Sequence, residues 1–258
     1  MKTSVMGDEG DADTGPLAPR LQRRQVLALV VALSGVGSGL VACHSSTAPA
    51  ERGSSGRRGK VTLAFFTAAE AAFVDAAIAR LIPADDLGAG AVEAGVTVFI
   101  DRQLAGPFGR AVDWYMQGPW ADGTPQQGYQ RKRTPAELYR AAIAALDSRS
   151  QHGAGKAFAA LDSDRQDALL HELEGGGIDL GDVSAKDFFT LLWDNTQEGY
   201  FADPIYLGNQ GFAGWKLVGY PGPRYNYDAA IRRFGERYPL PTVGLMGRDP
   251  ARLPTGPI

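Results

Sequence analysis

Asp85 and Asp86 stand side by side just after Pro83, and adjacent carboxylates are a pair that could do general acid–base work. The same two side chains also suit a turn that starts the next helix. His171 lies beside Glu172 on a segment of helical periodicity, where a histidine is more often a surface or structural group than a base. Gly153-Ala154-Gly155-Lys156 has the close of a phosphate-binding loop, but Ser150 and Ala157 occupy positions that the loop gives to glycine and to serine or threonine, and no strand precedes it. The spacing rules that chemistry out. Asp203 is a further lone carboxylate, and no nucleophile stands in a motif with a second base, so hydrolysis has no constellation to run on.

The single cysteine, Cys43, and three histidines, His44, His152 and His171, make neither a disulfide framework nor a His/Cys metal cluster. Lys and Arg number 26 against 29 Asp and Glu, a net charge of −3, which gives no electrostatic case for nucleic acid. With 44% hydrophobic and 21% charged residues over 258 positions, the chain is long and apolar enough for one domain with a sizeable core.

Residues 1–43 read as an export signal. Arg23 and Arg24 precede Val26, Leu27 and a charge-free, glycine-rich stretch to Ala42, too short and too soft for a comfortable membrane span. The Arg-Arg-x-Val-Leu order resembles the twin-arginine export motif. A buried helix would need partners for both arginines and tolerates those glycines poorly. Leu40-Val41-Ala42-Cys43 resembles a lipobox, in which the cysteine is lipid-modified; cleavage after Ala50 is the alternative. Residues 44–60 form a Ser/Gly/Arg linker without apolar periodicity, and residues 61–258 carry the folded part.

The elements of that part are helical, and the expected class is all-α with long loops. Thr67 and Glu70 form a capping box that opens a helix with Phe73, Ala77, Ile78 and Leu81 on one face, ended by Pro83. Val92, Val96, Phe99, Ile100 and Leu104 make a second stripe, continued after a turn by residues 107–116. Residues 118–133 read as a surface loop. Thr134-Pro135-x-Glu137 repeats the capping logic. A further helix runs from residues 162–174 into Gly175-Gly176-Gly177, and Ser184-x-x-Asp187 starts the last clear one.

Residues 201–227 then hold seven aromatics, five glycines and three prolines in 27 positions. Two readings stand side by side. The rings of Tyr206, Trp215 and Tyr220 fill pockets on another protein, or they fold back over their own helices.

Residues 188–222, FFTLLWDNTQEGYFADPIYLGNQGFAGWKLVGYPG, closely resemble the C-terminal signature of the gluconate 2-dehydrogenase subunit 3 family. Residues 81–104, LIPADDLGAGAVEAGVTVFIDRQL, resemble its N-terminal signature, and AELYRAAIAALD adds a weaker match between them. One departure is Leu207, where the family tends to have a glycine before Gly208-Asn209. The resemblance implies the non-catalytic small subunit of a periplasmic, membrane-associated dehydrogenase of sugars or sugar acids. Its partners would be a flavoprotein of the glucose–methanol–choline type carrying FAD and a cytochrome c subunit carrying haem c. This chain would hold no cofactor and would lend its export signal to the flavoprotein. Asp203, Pro204, Tyr206, Asn209, Trp215, Tyr220 and Pro221 are then the expected partner-binding residues. Two other classes remain: a free-standing periplasmic enzyme using Asp85, Asp86 or Asp203, and a lipid-anchored binding module without an enzyme partner.

Overall fold

The structure is a computed structural model that describes residues 62–121 and 123–247. Arg23, Arg24, Cys43 and the linker lie outside the described residues.

Helix boundaries follow from local hydrogen bonding. Thr67 caps α1 (Ala68–Leu81): its hydroxyl accepts the Glu70 amide while the Glu70 carboxylate accepts the Thr67 amide. Thr134 and Glu137 do the same for α3 (Pro135–Ala154), with proline in the first turn, where its missing N–H costs nothing. Asp162 caps α4 (Ser163–Gly175), and Ser184 caps α5 (Ala185–Phe201). Gly155, the glycine before Lys156, is the left-handed C-cap of α3, so that motif is a helix end.

Between α1 and α3, α2 runs over Val96–Ala105, one turn shorter than the apolar stripe suggests. Gly95 at φ 77° is its N-cap, so residues 91–95 turn and Val92 faces solvent. Residues 107–113 do not continue the helix either. The chain folds back so tightly that a Cβ on Gly109 would overlap the Leu104 carbonyl, and Ala111 takes a left-handed φ of 53°. Residues 118–133 are exposed for the most part, with a 310 turn at Pro125–Gln127.

Helix α5 is the axis of the fold, in contact with each of α1, α2, α3 and α4. Phe188 on α5 meets the edge of Tyr139 from α3 at 5.4 Å and Phe73 from α1 at 6.5 Å. Phe73 in turn packs on Phe158 at 4.6 Å. Each of these four rings is buried, and complete burial of an aromatic is among the largest single contributions to a core. The Tyr139 hydroxyl is satisfied by the Asn195 amide at 3.0 Å, and burial holds its phenol far above the usual range. Among the described residues there is no strand, only three isolated bridges inside turns. The class is all-α.

Candidate partner-docking site

Two sequence stretches far apart in the chain, residues 81–104 and 188–222, close onto each other at the C-terminal end of α5. The Tyr200 hydroxyl donates to the Ala89 carbonyl at 2.7 Å, and the Gln210 amide donates to the Ala94 carbonyl at 2.9 Å. Gly199 permits this closure: a Cβ there would sit 2.8 Å from the Phe99 ring. The returning chain then crosses α5 backbone to backbone, since a Cβ on Gly208 would overlap the Gly199 carbonyl oxygen.

Residues 201–222 are not the extended loop their glycines and prolines suggest. Asp203 caps a 310 turn at Pro204–Tyr206, its carboxylate accepting the Ile205 amide at 3.0 Å. A second 310 turn, Gln210–Phe212, leads into α6 (Ala213–Val218). Proline fits the first turn because no intrahelical acceptor awaits its nitrogen.

Asn209 staples these turns together. It is fully buried, its amide donates to the Ala202 carbonyl at 2.8 Å, and its side-chain oxygen accepts the Gly214 amide at 2.8 Å. A buried amide satisfied at both ends fixes the turn in one conformation. Left-handed backbone recurs here at Leu207 (φ 72°), Asn209 (φ 48°) and Phe212 (φ 58°). Asparagine tolerates that region; leucine and phenylalanine occupy it only where the surroundings impose it.

The aromatic residues divide into two sets. Trp215 is 6% exposed, its indole N–H donates to the Phe201 carbonyl at 2.7 Å, and its ring stacks on Phe212 at 5.5 Å with the Tyr220 edge at 4.9 Å. Pro204 and Asn209 are buried as well. The side-chain contacts of Trp215 and Asn209 are made within the chain, as the core-covering alternative expects of Trp215. Asp203 and Pro221 are half-buried. Tyr206 at 50% and Tyr220 at 40% remain outside, and Phe201 and Val218 join them. These four apolar side chains are exposed within residues 201–220, the stretch whose turns Asn209 staples.

Asp194 and Glu198 stand one turn apart on α5. Burial raises the pKa of Asp194; burial, then the neighbouring Asp194 charge, raises that of Glu198. Like charges at that spacing repel.

The other candidates lie outside residues 201–222. The Asp85 carboxylate accepts the Leu87 amide at 2.9 Å and the backbone pairs with Gly88, so the turn reading describes it; Asp86 is exposed beside it. His171 is exposed, with Nδ1 3.6 Å from Glu174. A cleft of about 500 Å³ lies between Trp120, Tyr129 and the start of α5, but its charges pair across it, Arg131 with Asp187 at 2.7 Å. Among the described residues no group of three or more His, Cys, Asp or Glu side chains could hold a metal ion.

The missed features of the site are the stapling role of Asn209 and the contact between Gly199 and Gly208. Only the glycines carry a sequence signal, since glycines within helix or turn sequences mark close backbone approach.

The family model described as Gluconate 2-dehydrogenase subunit 3 matches residues 68–222, from the first residue of α1 to just past Tyr220 and Pro221. No curated protein and no solved structure matches the chain.

Proposed function

The chain belongs to the gluconate 2-dehydrogenase subunit 3 family, whose members are subunits of multi-subunit complexes, and from that membership we propose its role. It is the non-catalytic small subunit of a periplasmic, membrane-associated FAD-dependent dehydrogenase of sugars or sugar acids, and it assists export and assembly of the flavoprotein subunit. The flavoprotein, of the glucose–methanol–choline type, carries FAD, and a cytochrome c subunit carries haem c. Arg23 and Arg24 address the pair to the twin-arginine route, and Cys43 anchors the chain through lipid.

The observation that carries this reading is the exposure of four apolar side chains, Phe201, Tyr206, Val218 and Tyr220, inside the span that the family model matches. Aromatic residues held on a rigid turn are suited to protein interfaces because little side-chain freedom remains to be lost on binding.

Export tests the reading. With Arg23 and Arg24 both replaced by lysine, this chain and the flavoprotein should stay in the cytoplasm, read by fractionation. A flavoprotein that still reaches the periplasm overturns the escort role. Full-length chain purified from native membranes without any flavoprotein would leave the lipid-anchored binding module in its place.

A further inference from the structure

Past Gly222, where the family match ends, the chain makes one more closed excursion. Residues 223–242 leave and return through a neck formed on the site just described. The Val243 amide donates to the Pro221 carbonyl at 3.2 Å, and a Cβ on Gly222 (φ 85°) would overlap the Val243 carbonyl oxygen. The Leu245 amide donates to the free carboxylate oxygen of Asp203 at 2.8 Å, and Gly244 lies against the Phe212 ring. Asp203 therefore serves two masters, the 310 turn with one oxygen and the neck with the other.

Within the excursion, Arg224 donates to the Pro241 carbonyl, the Tyr227 hydroxyl donates to the Gly222 carbonyl, and Tyr227 packs on Tyr238 at 5.7 Å. A surface loop with close ends and its own internal packing is a frequent place for function. Its outer side is unusual for a loop: Phe234 is 92% exposed, and Tyr225, Ile231 and Leu240 are exposed too. Arg232, Arg233 and Arg237 stand exposed among them.

The composition of residues 223–242 says what this surface fits. Four arginines against Asp228 and Glu236 leave the segment at +2 (4 − 2), within a chain whose net charge is −3. It contains no lysine. Tyrosine, phenylalanine and arginine without lysine is the bias of protein interfaces, where the flat guanidinium grips a carboxylate with two donors. Membrane surfaces attract lysine and arginine alike, and an interfacial segment needs an amphipathic helix to lay among headgroups. The helix in this loop, α7 (Asp228–Ile231), has four residues.

We propose that residues 223–242 are a docking arm for the flavoprotein subunit, and that they seat on an acidic surface of it with apolar hollows for Phe234 and Tyr225. This rests on the reading that the chain is a subunit of a dehydrogenase complex. The arm follows directly on the segment that holds Tyr206 and Tyr220 and lies outside the residues that the family model matches.

The test uses the full-length tagged chain in its native cells, with a photo-crosslinking amino acid placed at Phe234 or, separately, at Tyr206. The expected result is capture of the flavoprotein subunit at Phe234 through a peptide rich in Asp and Glu. The double substitution Arg232→Glu with Arg237→Glu should lower its co-purification at least tenfold while the thermal midpoint of this chain holds. Capture of that subunit at Tyr206, with nothing, lipid or a second copy of this chain at Phe234, overturns the arm and leaves the subunit reading standing. Capture of no oxidoreductase subunit at either position overturns both. Unchanged co-purification after the charge reversal overturns the acidic surface.

Discussion

Leu207 holds a backbone conformation that costs an L-residue with a Cβ about 1–2 kcal/mol and glycine almost nothing. The resemblance leads one to expect glycine at this position, and the φ of 72° gives the physical reason. Leu207→Gly should therefore stabilise the protein, less the roughly 0.5–1 kcal/mol that glycine costs through unfolded-chain entropy. A net gain of up to about 1 kcal/mol in chemical denaturation is expected; a loss would mean that the half-buried leucine side chain outweighs its strain. Trp215 and Tyr206 make the complementary pair. Trp215→Ala removes a stacked, buried ring with a satisfied indole and should cost about 3–5 kcal/mol. Tyr206→Ala, at half exposure, should stay within about 0.5 kcal/mol. Equal losses for the two would refute the division of the rings into an inner and an outer set.

Among the elements, α2 does more than its length suggests. Asp101 on it is fully buried, and its carboxylate accepts the backbone amides of Ala64 at 2.7 Å, Phe65 at 2.9 Å and Phe66 at 2.9 Å. It thereby fixes the lead-in to the Thr67 cap and the direction of α1. Arg140 on α3 covers the same segment, donating to the Phe65 carbonyl at 2.8 Å with its guanidinium 4.2 Å over the Phe65 ring. Asp101→Asn swaps one acceptor oxygen for a donor and removes the charge, so at least one of the three amides loses its partner. We expect a loss of about 2–3 kcal/mol, with hydrogen exchange at residues 64–66 accelerated first. Unaltered exchange there would show that the helices, and not Asp101, hold the lead-in. An ordinary cap is worth less: Ser184→Ala at the start of α5 should cost about 1 kcal/mol.

Over the whole molecule, two sets of carboxylates oppose each other in pH. The Arg80 guanidinium grips Asp167 with two bonds, 2.7 and 2.8 Å, ties α1 to α4, and holds that carboxyl below its ordinary value of 3.8. Burial pushes Glu70 up, but bonds from Thr67 and Arg140 outweigh it, and the net direction is below 4.5. These two contribute stability that is complete above the ordinary values and is lost only as pH falls through the lowered ones. Glu198 and Asp194 run the other way. The folded state takes up their protons first, so stability rises as pH falls from neutral toward 4.5 and 3.8. The thermal midpoint should hold or rise slightly on mild acidification and drop only below the ordinary carboxylate range. Glu198→Gln should raise the midpoint at neutral pH and flatten the mildly acid limb; an unchanged slope would remove Glu198 as its source.

What the sequence determined by itself is what four consecutive residues can determine. Thr67 with Glu70, Thr134 with Glu137, and Ser184 with Asp187 place their helices because cap and acceptor lie within one turn. The all-α class and the family resemblance were legible for the same reason, being patterns along the chain. Residues 107–113 were not, because their path is set by Gly109 closing on Leu104 and not by their own apolar spacing. Nor was the burial of Asn209 and Pro204, and for Trp215 the sequence left an inward and an outward reading side by side. Which side of a ring meets water depends on the crossing of Gly208 over Gly199 and on the bond from Gln210 to Ala94, contacts between segments separated by nine residues in one case and over a hundred in the other. Tertiary structure alone decided them, since burial is a property of the partner surface and no local signal carries it.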